Sequence, residues 1–292
     1  MTKRKGIILA GGFGTRLYPL TVAVSKQLLP VYDKPMIYYP LTVLMLTGIC
    51  DIMIITTQDD QAQYQRLLGD GTQWGINLSY KIQPKPDGLA QAFLLAEDFL
   101  AGSPSTLILG DNILFGNGLC EILEKANQKE TGATVFGYHV SDPERYGVID
   151  FDDANNVHSI IEKPENPSSN YAVTGLYFVD KTAPNRVKKI KPSARGELEI
   201  TSLLESFLNE GSLTVEKMGR GLTWFDAGTH NSLIEASNFV RTLTQRQGLQ
   251  VGSPDEVAYG LGLINQEKLR ENALKYNKSE YGAYLIKFLE NI

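Results

Sequence analysis

Cysteine and long apolar segments are both scarce in this chain of 292 residues. The two cysteines, Cys50 and Cys120, are too few for a disulfide framework and have no CxxC spacing, so we expect two buried thiols. No stretch approaches the ~20 apolar residues of a membrane-spanning helix. The apolar part of the N-terminus has only about five residues, against ~7–15 in a signal-peptide core, which predicts a cytoplasmic protein.

A positive net charge is also missing. The formal net charge of −5 argues against general nucleic-acid binding. Any phosphate site must therefore be a local basic pocket on an acidic surface. The hydrophobic content of 42% is ordinary for a globular protein, and the length is enough for a large core in one domain or one and a half.

The two commonest phosphate-binding motifs are absent as well. The Walker A pattern G-x-x-x-x-G-K-[ST] occurs nowhere in the chain. The dinucleotide fingerprint G-x-G-x-x-G begins at Gly12 and Gly14 but fails at Leu17, where its third glycine should stand. Neither a P-loop nor a Rossmann dinucleotide site is predicted.

A different glycine loop follows the first apolar run. Gly11, Gly12 and Gly14 let backbone N–H groups approach an anion, and Arg16 and Lys26 supply cations that can hold phosphate oxygens. A bare glycine turn between a strand and a helix is the simpler interpretation. The two cations favour a polyphosphate cradle at the carboxyl end of the first strand.

Strand-like and helix-like segments alternate through the first half, which predicts an α/β fold with a mostly parallel or mixed sheet covered by helices. The predicted strands are Gly6–Ala10, Asp51–Thr57, Leu78–Ile82, Thr106–Leu109 and Ala133–Val140. The predicted helices are Pro35–Thr47, Asp60–Leu68, Leu89–Phe99 and Gly118–Lys129. Ligands of such sheets bind at the carboxyl ends of strands.

From Tyr146 onward, short strands with turns predict a β-rich insertion that supplies the second wall of the site. The predicted strands there are Gly147–Phe151, Val157–Glu162, Ala172–Val179, Leu213–Met218 and Thr223–Phe225. A hairpin turn is expected at Asn155-Asn156 and a helix capped by Thr229. We expect one domain over 1–245, with an α/β part near 1–140 followed by a β-rich part near 141–228. Residues 246–292 are predicted to form a helical segment for packing, oligomerisation or regulation.

Two aspartates, Asp111 and Asp226, each follow an apolar strand. Carboxylates at strand ends are the hard oxygen ligands that Mg²⁺ prefers, together with substrate phosphates and water. An aspartate after a glycine is also a common turn residue. The pair nevertheless predicts a Mg²⁺ site.

Long motifs extend through most of the chain beyond GG-x-GTRL-x-P-x-T-x(4)-K. They are KQLLPVYDKPMIYYPL, LLGDG, PDGLAQAF, LGDN, DPERYGV, EKP, SNYAVTGLYF and RGELEIT. In these motifs the sequence resembles the sugar-1-phosphate nucleotidylyltransferases, most closely the glucose-1-phosphate thymidylyltransferases of bacterial deoxysugar synthesis such as that of dTDP-rhamnose. The resemblance runs from Gly6 to about Gln247. It implies that 1–245 is a nucleotidyltransferase catalytic domain, with a nucleotide-binding part near 1–140 and a sugar-binding part near 141–228.

The resemblance implies that glucose 1-phosphate and dTTP react to give dTDP-glucose and pyrophosphate. It implies catalytic roles for Arg16, Lys26, Lys163, Asp111 and Asp226. It assigns nucleotide binding to Leu9, Gly11, Gly12, Gly14, Thr15, Arg16, Gln27, Gln83, Pro86, Gly88 and Asp111. It assigns sugar and sugar-phosphate binding to Asn112, Tyr146, Gly147, Glu162, Lys163, Val173 and Arg195, and a homotetramer with a second, regulatory site near Gly116, Gly219–Gly221 and the C-terminal helices.

The specificity of the predicted base pocket rests on Gln83, whose amide offers both an acceptor and a donor to thymine or uracil. A uridylyltransferase is therefore an open alternative, and so is a catalytically silent, sugar-nucleotide-binding subunit. Phe13, Lys85 and Ala227 depart from the family pattern without removing a group that the reaction needs. Gly260 stands where an arginine is expected, which leaves the strength of regulation open.

Overall fold

Residues 3–154 and 156–291 are described by the computed structural model. The strands are β1 (Lys5–Ala10), β2 (Pro30–Val31), β3 (Lys34–Pro35), β4 (Asp51–Thr56), β5 (Asn77–Ile82), β6 (Ser105–Leu109), β7 (Asn112–Gly116), β8 (Ala133–His139), β9 (Gly147–Phe151), β10 (Val157–Glu162), β11 (Tyr171–Val179), β12 (Leu213–Lys217) and β13 (Leu222–Asp226). The helices are α1 (Tyr38–Leu46), α2 (Gln61–Leu68), α3 (Gln91–Leu95), α4 (Glu97–Leu100), α5 (Leu119–Asn127), α6 (Ala183–Val187), α7 (Ile200–Leu208), α8 (His230–Gln247), α9 (Pro254–Gly260), α10 (Gln266–Lys275) and α11 (Glu280–Glu290).

One mixed sheet of nine strands organises the described part of the chain. Strands β6, β1, β4 and β5 run parallel in this order, with β1 between β6 and β4. Strand β11 is antiparallel to both β6 and β8, and β12 extends the sheet parallel to β8. The α/β prediction with a mixed sheet is therefore confirmed.

The carboxyl ends of β1 and β6 lie side by side. Leu9 pairs with Leu109 in the parallel register, and the N–H of Gly110 donates to the carbonyl oxygen of Leu9 at 2.9 Å. Because both strands end at the same edge, the glycine loop after β1 and Asp111 after β6 leave the sheet together. Local sequence thus places the two motifs, and the parallel pairing brings them to one point.

Strand β11 divides its pairing between two neighbours. Its first residues, Tyr171 and Ala172, pair with β9, whereas Leu176 to Val179 pair with β6. Residues 173–175 lie between these two ladders, where the register against β8 also shifts. The sheet therefore opens at this point, and β9 and β10 form a second wall that starts there. The insertion expected after Tyr146 thus shares the central sheet.

A two-stranded antiparallel ribbon, β7 with β13, sets the position of the second aspartate. Asp226 pairs with Asn112 in its register, and the N–H of Ala227 donates to the carbonyl oxygen of Asp111 at 3.0 Å. These backbone contacts bring the ends of β6 and β13 together although they are far apart in sequence. Strand β7 was not predicted from the sequence.

Two large apolar clusters cover the two faces of the sheet. One includes side chains of α1, α5 and the C-terminal helices, such as Leu269 and Leu285. The other includes α3, α6 and α7, with Phe93 and Phe207 fully buried. The C-terminal segment therefore shares a core with the sheet, because its apolar side chains pack in the same cluster as those of α1.

Several local predictions need correction. The predicted helix Leu89–Phe99 is divided into α3 and α4, and the two thiols are not buried, since Cys50 is half-buried and Cys120 is exposed. Thr229 caps α8 as expected, through a capping box with Ser232. Of the predicted hairpin turn, Asn155 lies outside the described residues. In residues 3–154 and 156–291, no helix combines the length and apolarity needed to span a membrane.

Candidate active site

A cleft of about 370 Å³ lies where the carboxyl ends of β1 and β6 meet the opening beside β11. Most residues that the sequence singled out line it together. They are Leu9, Gly12, Arg16, Lys26, Gln27, Gln83, Pro86, Gly88, Asp111, Asn112, Tyr146, Gly147, Glu162, Lys163, Val173 and Asp226. Gly11, Gly14, Thr15 and Arg195 are the predicted residues outside this lining. The cleft therefore joins the predicted nucleotide and sugar sites in one space.

The glycine loop has a backbone that larger residues would distort. Gly14 adopts a left-handed conformation with φ of +62°, directly before the 3₁₀ turn Thr15–Leu17 that carries Arg16. A Cβ atom on Gly11 would overlap with Oε1 of Gln83. Both glycines are thus needed, one for the turn and the other for the close approach of Gln83.

Lys26 forms an ion pair with Asp111 at the centre of the cleft. Burial acts to raise the pKa of the Asp111 carboxyl, but the charge and hydrogen bond of Lys26, with a further hydrogen bond from Asn112, hold it below its ordinary value. The opposite applies to Asp226, where burial and the negative charge of Asp111 raise the pKa to about 6. The two carboxylates are therefore close enough to repel each other.

This pair of carboxylates fits a Mg²⁺ ion. Two adjacent, mostly buried acids with an excess of negative charge gain from a divalent cation, and Mg²⁺ typically binds one or two carboxylates and completes its shell with water and substrate phosphates. Among the residues that the structure describes, no group of three or more His, Cys, Asp or Glu side chains forms a closed metal site. The two carboxylates would leave coordination positions of the ion open for water and for oxygens of a bound ligand.

Asn112, the asparagine of the LGDN motif, makes several hydrogen bonds within the protein. The Oδ1 atom of Asn112 accepts from the N–H of Gly175 at 3.0 Å and from Trp224, and its amide donates to Asp111 at 3.1 Å. Asn112 therefore orients Asp111, and the sugar contact that the resemblance implies for it stays a prediction.

The predicted base pocket is ordered by a chain of amides. Nε2 of Gln83 donates to Oε1 of Gln91 at 2.7 Å, and Gln91 donates in turn to Asp87 at 3.1 Å. This fixes the Gln83 amide with its oxygen toward Gly11. Gln27, also in the lining, is held by hydrogen bonds from Ser25 and Tyr64 at 2.9 and 3.1 Å.

The opposite wall carries a second group of charges around Glu162. Arg195 donates to Glu162 at 3.3 Å and to Glu199 at 2.9 Å, which keeps it at the rim. Nζ of Lys163 lies 3.5 Å from Glu162. Lys163 has a φ of +44°, a strained conformation for a residue with a side chain. Strain of this kind is typical of functional sites.

Sequence reasoning missed several lining residues, namely Leu89, Leu109, Arg145, Gly175, Tyr177, Glu197, Glu199, Ile200, Thr201 and Trp224. The three charged residues among them, Arg145, Glu197 and Glu199, lie inside the quoted motifs DPERYGV and RGELEIT. Their position in those motifs was the sequence signal that could have identified them. Trp224 and Tyr146 pack edge to face, with ring centroids 5.1 Å apart, and both line the cleft.

The sequence model of the nucleotidyl transferase family, described as "Nucleotidyl transferase", matches residues 5–242, which include every predicted site residue. The chain belongs to the nucleotidyl transferase family. A glucose-1-phosphate thymidylyltransferase of Xanthomonas campestris is 61% identical over 285 residues, covering 98% of this chain and 97% of the relative. One of Neisseria meningitidis is 54% identical over 98% of this chain and 99% of its own length.

Solved structures of two nucleotidyl transferases have a fold similar to that of this chain. A glucose-1-phosphate thymidylyltransferase of Bacillus anthracis, in complex with sucrose, has a TM-score of 0.75 at 45% identity, covering 82% of this chain and 95% of that one. A UDP-glucose pyrophosphorylase complexed with UDP-glucose has a TM-score of 0.71 at 25% identity, covering 82% and 99%.

Proposed function

We propose that this nucleotidyl transferase converts dTTP and α-D-glucose 1-phosphate into dTDP-glucose and pyrophosphate. The observation that carries the proposal is one cleft with two groups of charges, Lys26 with Asp111 and Asp226 on one side and Lys163 with Glu162 on the other. A transferase that joins two phosphorylated substrates needs two such groups. The relatives named glucose-1-phosphate thymidylyltransferase, up to 61% identical, supply the substrate identities.

On the nucleotide side, the glycine loop and Arg16 hold the β- and γ-phosphates of dTTP. Gln83 faces the base, with its oxygen free to accept from N3–H, since its Nε2 is committed to Gln91. Lys26 lies on Asp111 before substrate binds, and we propose that it then turns to the α-phosphate. The glycine loop and Gln83 are positioned before the substrate arrives, so Lys26 is the group in this proposal that has to reorient.

On the sugar side, Lys163 and Arg195 bind the phosphate of glucose 1-phosphate, while Glu162 accepts from sugar hydroxyls. An oxygen of this phosphate attacks the α-phosphorus of dTTP in line, and the bond from that phosphorus to the β-phosphate oxygen breaks. The electron pair leaves with pyrophosphate. The protein supplies position and opposite charge, and no side chain acts as a nucleophile.

Asp111 and Asp226 are the residues that would hold Mg²⁺ in this reaction. The ion would neutralise charge that develops on the phosphate oxygens. We propose that Asn112 keeps Asp111 in place for this purpose, because its amide donates to that carboxylate.

The direct test is a product assay with dTTP, UTP, CTP, ATP and GTP against a panel of sugar 1-phosphates. We expect the highest kcat/KM for dTTP with glucose 1-phosphate and loss of turnover with a chelator, restored by Mg²⁺. The structural likeness to a UDP-glucose pyrophosphorylase favours one alternative, a uridylyltransferase, which a preference for UTP would establish. A silent regulatory subunit would show no turnover with any pair.

We further propose that the fold divides by function into a nucleotide part near 1–140, a sugar part near 141–228 and the helical segment 246–292. A cytoplasmic homotetramer with a regulatory nucleotide-sugar site near Gly116 and Gly219–Gly221 is part of this proposal. Exposed apolar side chains at Ile234, Leu261 and Leu274 support a surface for assembly. Sedimentation measurements test the tetramer, and the same measurements with dTDP-sugars test whether ligand at the regulatory site changes the assembly.

A further inference from the structure

Arg145 lies on the wall of the cleft that precedes β9, at the end of the 3₁₀ turn Pro143–Arg145. Its Nη1 donates to Asp142 at 2.6 Å, and its guanidinium lies 5.2 Å from the centre of the Tyr146 ring. Two contacts therefore fix the direction in which the other guanidinium nitrogen points. The family resemblance gave no role to Arg145, although the residue lies in the motif DPERYGV.

The second nitrogen, Nη2, is buried and has no hydrogen-bond partner among the described residues. The nearest carboxylate oxygen of Asp226 is 4.0 Å away, beyond hydrogen-bond distance. A buried N–H without a partner costs free energy, most of all on a charged group. Because this nitrogen belongs to a residue that lines the cleft, an oxygen of a bound ligand is the partner that would complete it.

The cations in and beside the cleft form two groups, one around Asp226 and one around Glu162. Arg145 belongs to the group around Asp226. The charge of Arg16 acts on both Asp226 and Tyr146, opposing the rise that burial produces in their pKa values. Lys163 and Arg195 instead lie within 3.5 Å of Glu162. In the proposed function Lys163 and Arg195 bind the sugar phosphate, Lys26 turns to the α-phosphate, and Arg16 is the side-chain cation assigned to the β- and γ-phosphates.

We propose that Arg145 is a catalytic residue that donates through Nη2 to an oxygen of the departing pyrophosphate, opposite Arg16. This proposal rests on the proposed thymidylyl transfer. As the sugar-phosphate oxygen bonds to the α-phosphorus, the bridging oxygen leaves with its electron pair, and pyrophosphate gains negative charge. Arg145 neutralises part of that charge without giving up its proton. Asp142 and the Tyr146 ring act as positioning groups for its guanidinium.

The test compares Arg145→Gln and Arg145→Lys with wild type, using Arg66→Gln as a control that removes one exposed arginine from α2. Calorimetric titration measures the binding of Mg²⁺-pyrophosphate and of glucose 1-phosphate separately. We expect Arg145→Gln to weaken pyrophosphate binding about tenfold or more and to lower forward kcat, with glucose 1-phosphate affinity changed less than about threefold. The Arg145→Lys variant keeps the positive charge but loses the planar guanidinium with its paired N–H donors. Its pyrophosphate affinity should therefore fall between those of wild type and Arg145→Gln.

Two results would overturn the proposal. One is pyrophosphate affinity within about twofold of wild type in Arg145→Gln. The other is a larger loss for glucose 1-phosphate than for pyrophosphate, which would move Arg145 to the sugar phosphate. Thermal denaturation of each variant separates a binding effect from a folding effect. If wild type bound pyrophosphate but formed no dTDP-glucose, the proposed function would fail, while the titrations would still decide the role of Arg145.

Discussion

Replacing Asp226 by asparagine should stabilise the metal-free protein while removing its activity. Burial and the neighbouring Asp111 raise the pKa of the Asp226 carboxyl from 3.8 to about 6. At neutral pH the native state must therefore hold an ionised group that the same environment disfavours. An asparagine side chain has nearly the same shape and no charge to desolvate.

The magnitude follows from linkage between protonation and folding. Each pH unit between 3.8 and about 6 is worth about 1.4 kcal/mol, so the ionised Asp226 lowers the free energy of unfolding by at most about 3 kcal/mol above pH 6. Because the folded pKa is the raised one, the native state binds the proton more tightly. Stability from this residue is therefore present below pH 4 and lost as the pH rises to 6. We expect a gain of about 1–3 kcal/mol in Asp226→Asn at pH 7.5, or roughly 2–6 °C in Tm.

Urea unfolding of both proteins in a chelating buffer, from pH 4 to pH 8, measures this difference directly. The gain should vanish near pH 4, grow to about pH 6 and then stay constant. The control is Asp59→Asn, the same chemical change at an exposed aspartate, for which no such gain is expected. Equal stability of Asp226→Asn and wild type at pH 7.5, or a gain that did not change with pH, would refute the reasoning.

Three further predictions concern the nucleotide side. Gly11→Ala should raise the KM for dTTP at least several-fold, since its Cβ would displace the Gln83 amide; an unchanged KM would mean that Gln83 does not face the base. Asp111→Asn should lower Mg²⁺-dependent kcat about 100-fold or more with folding intact by circular dichroism, and full activity would place the metal elsewhere. UTP should be accepted with kcat/KM about 10- to 200-fold below that of dTTP, because one methyl in an apolar pocket discriminates by only ~1–3 kcal/mol. UTP turnover that was undetectable at high concentration would show that the 2′-position is also sensed.

Much of the fold was predictable because local patterns and tertiary structure agree. The strands Gly147–Phe151 and Val157–Glu162 have the predicted bounds, as their apolar runs end at clear turn signals. Strand β7 was missed, since NILFG follows a turn directly and its pairing partner, β13, is more than a hundred residues later. The hydrogen bonds of Asn112 and the place of Arg145 in the cleft were visible only in the structure. Side-chain type does not reveal which protein groups an amide already contacts or whether a guanidinium nitrogen is left without a partner.

The sequence by itself determined which chemical groups the protein offers: a glycine loop with Arg16 and Lys26, acids at the ends of apolar strands, and long family motifs. These are local properties, set by the conformational freedom of glycine and by apolar runs that fold as strands. Only the tertiary structure decided that Asp111 and Asp226 meet, that their pKa values move in opposite directions and that the sheet opens beside β11. Each of these depends on pairing between distant strands and on burial, and no short stretch of sequence specifies either.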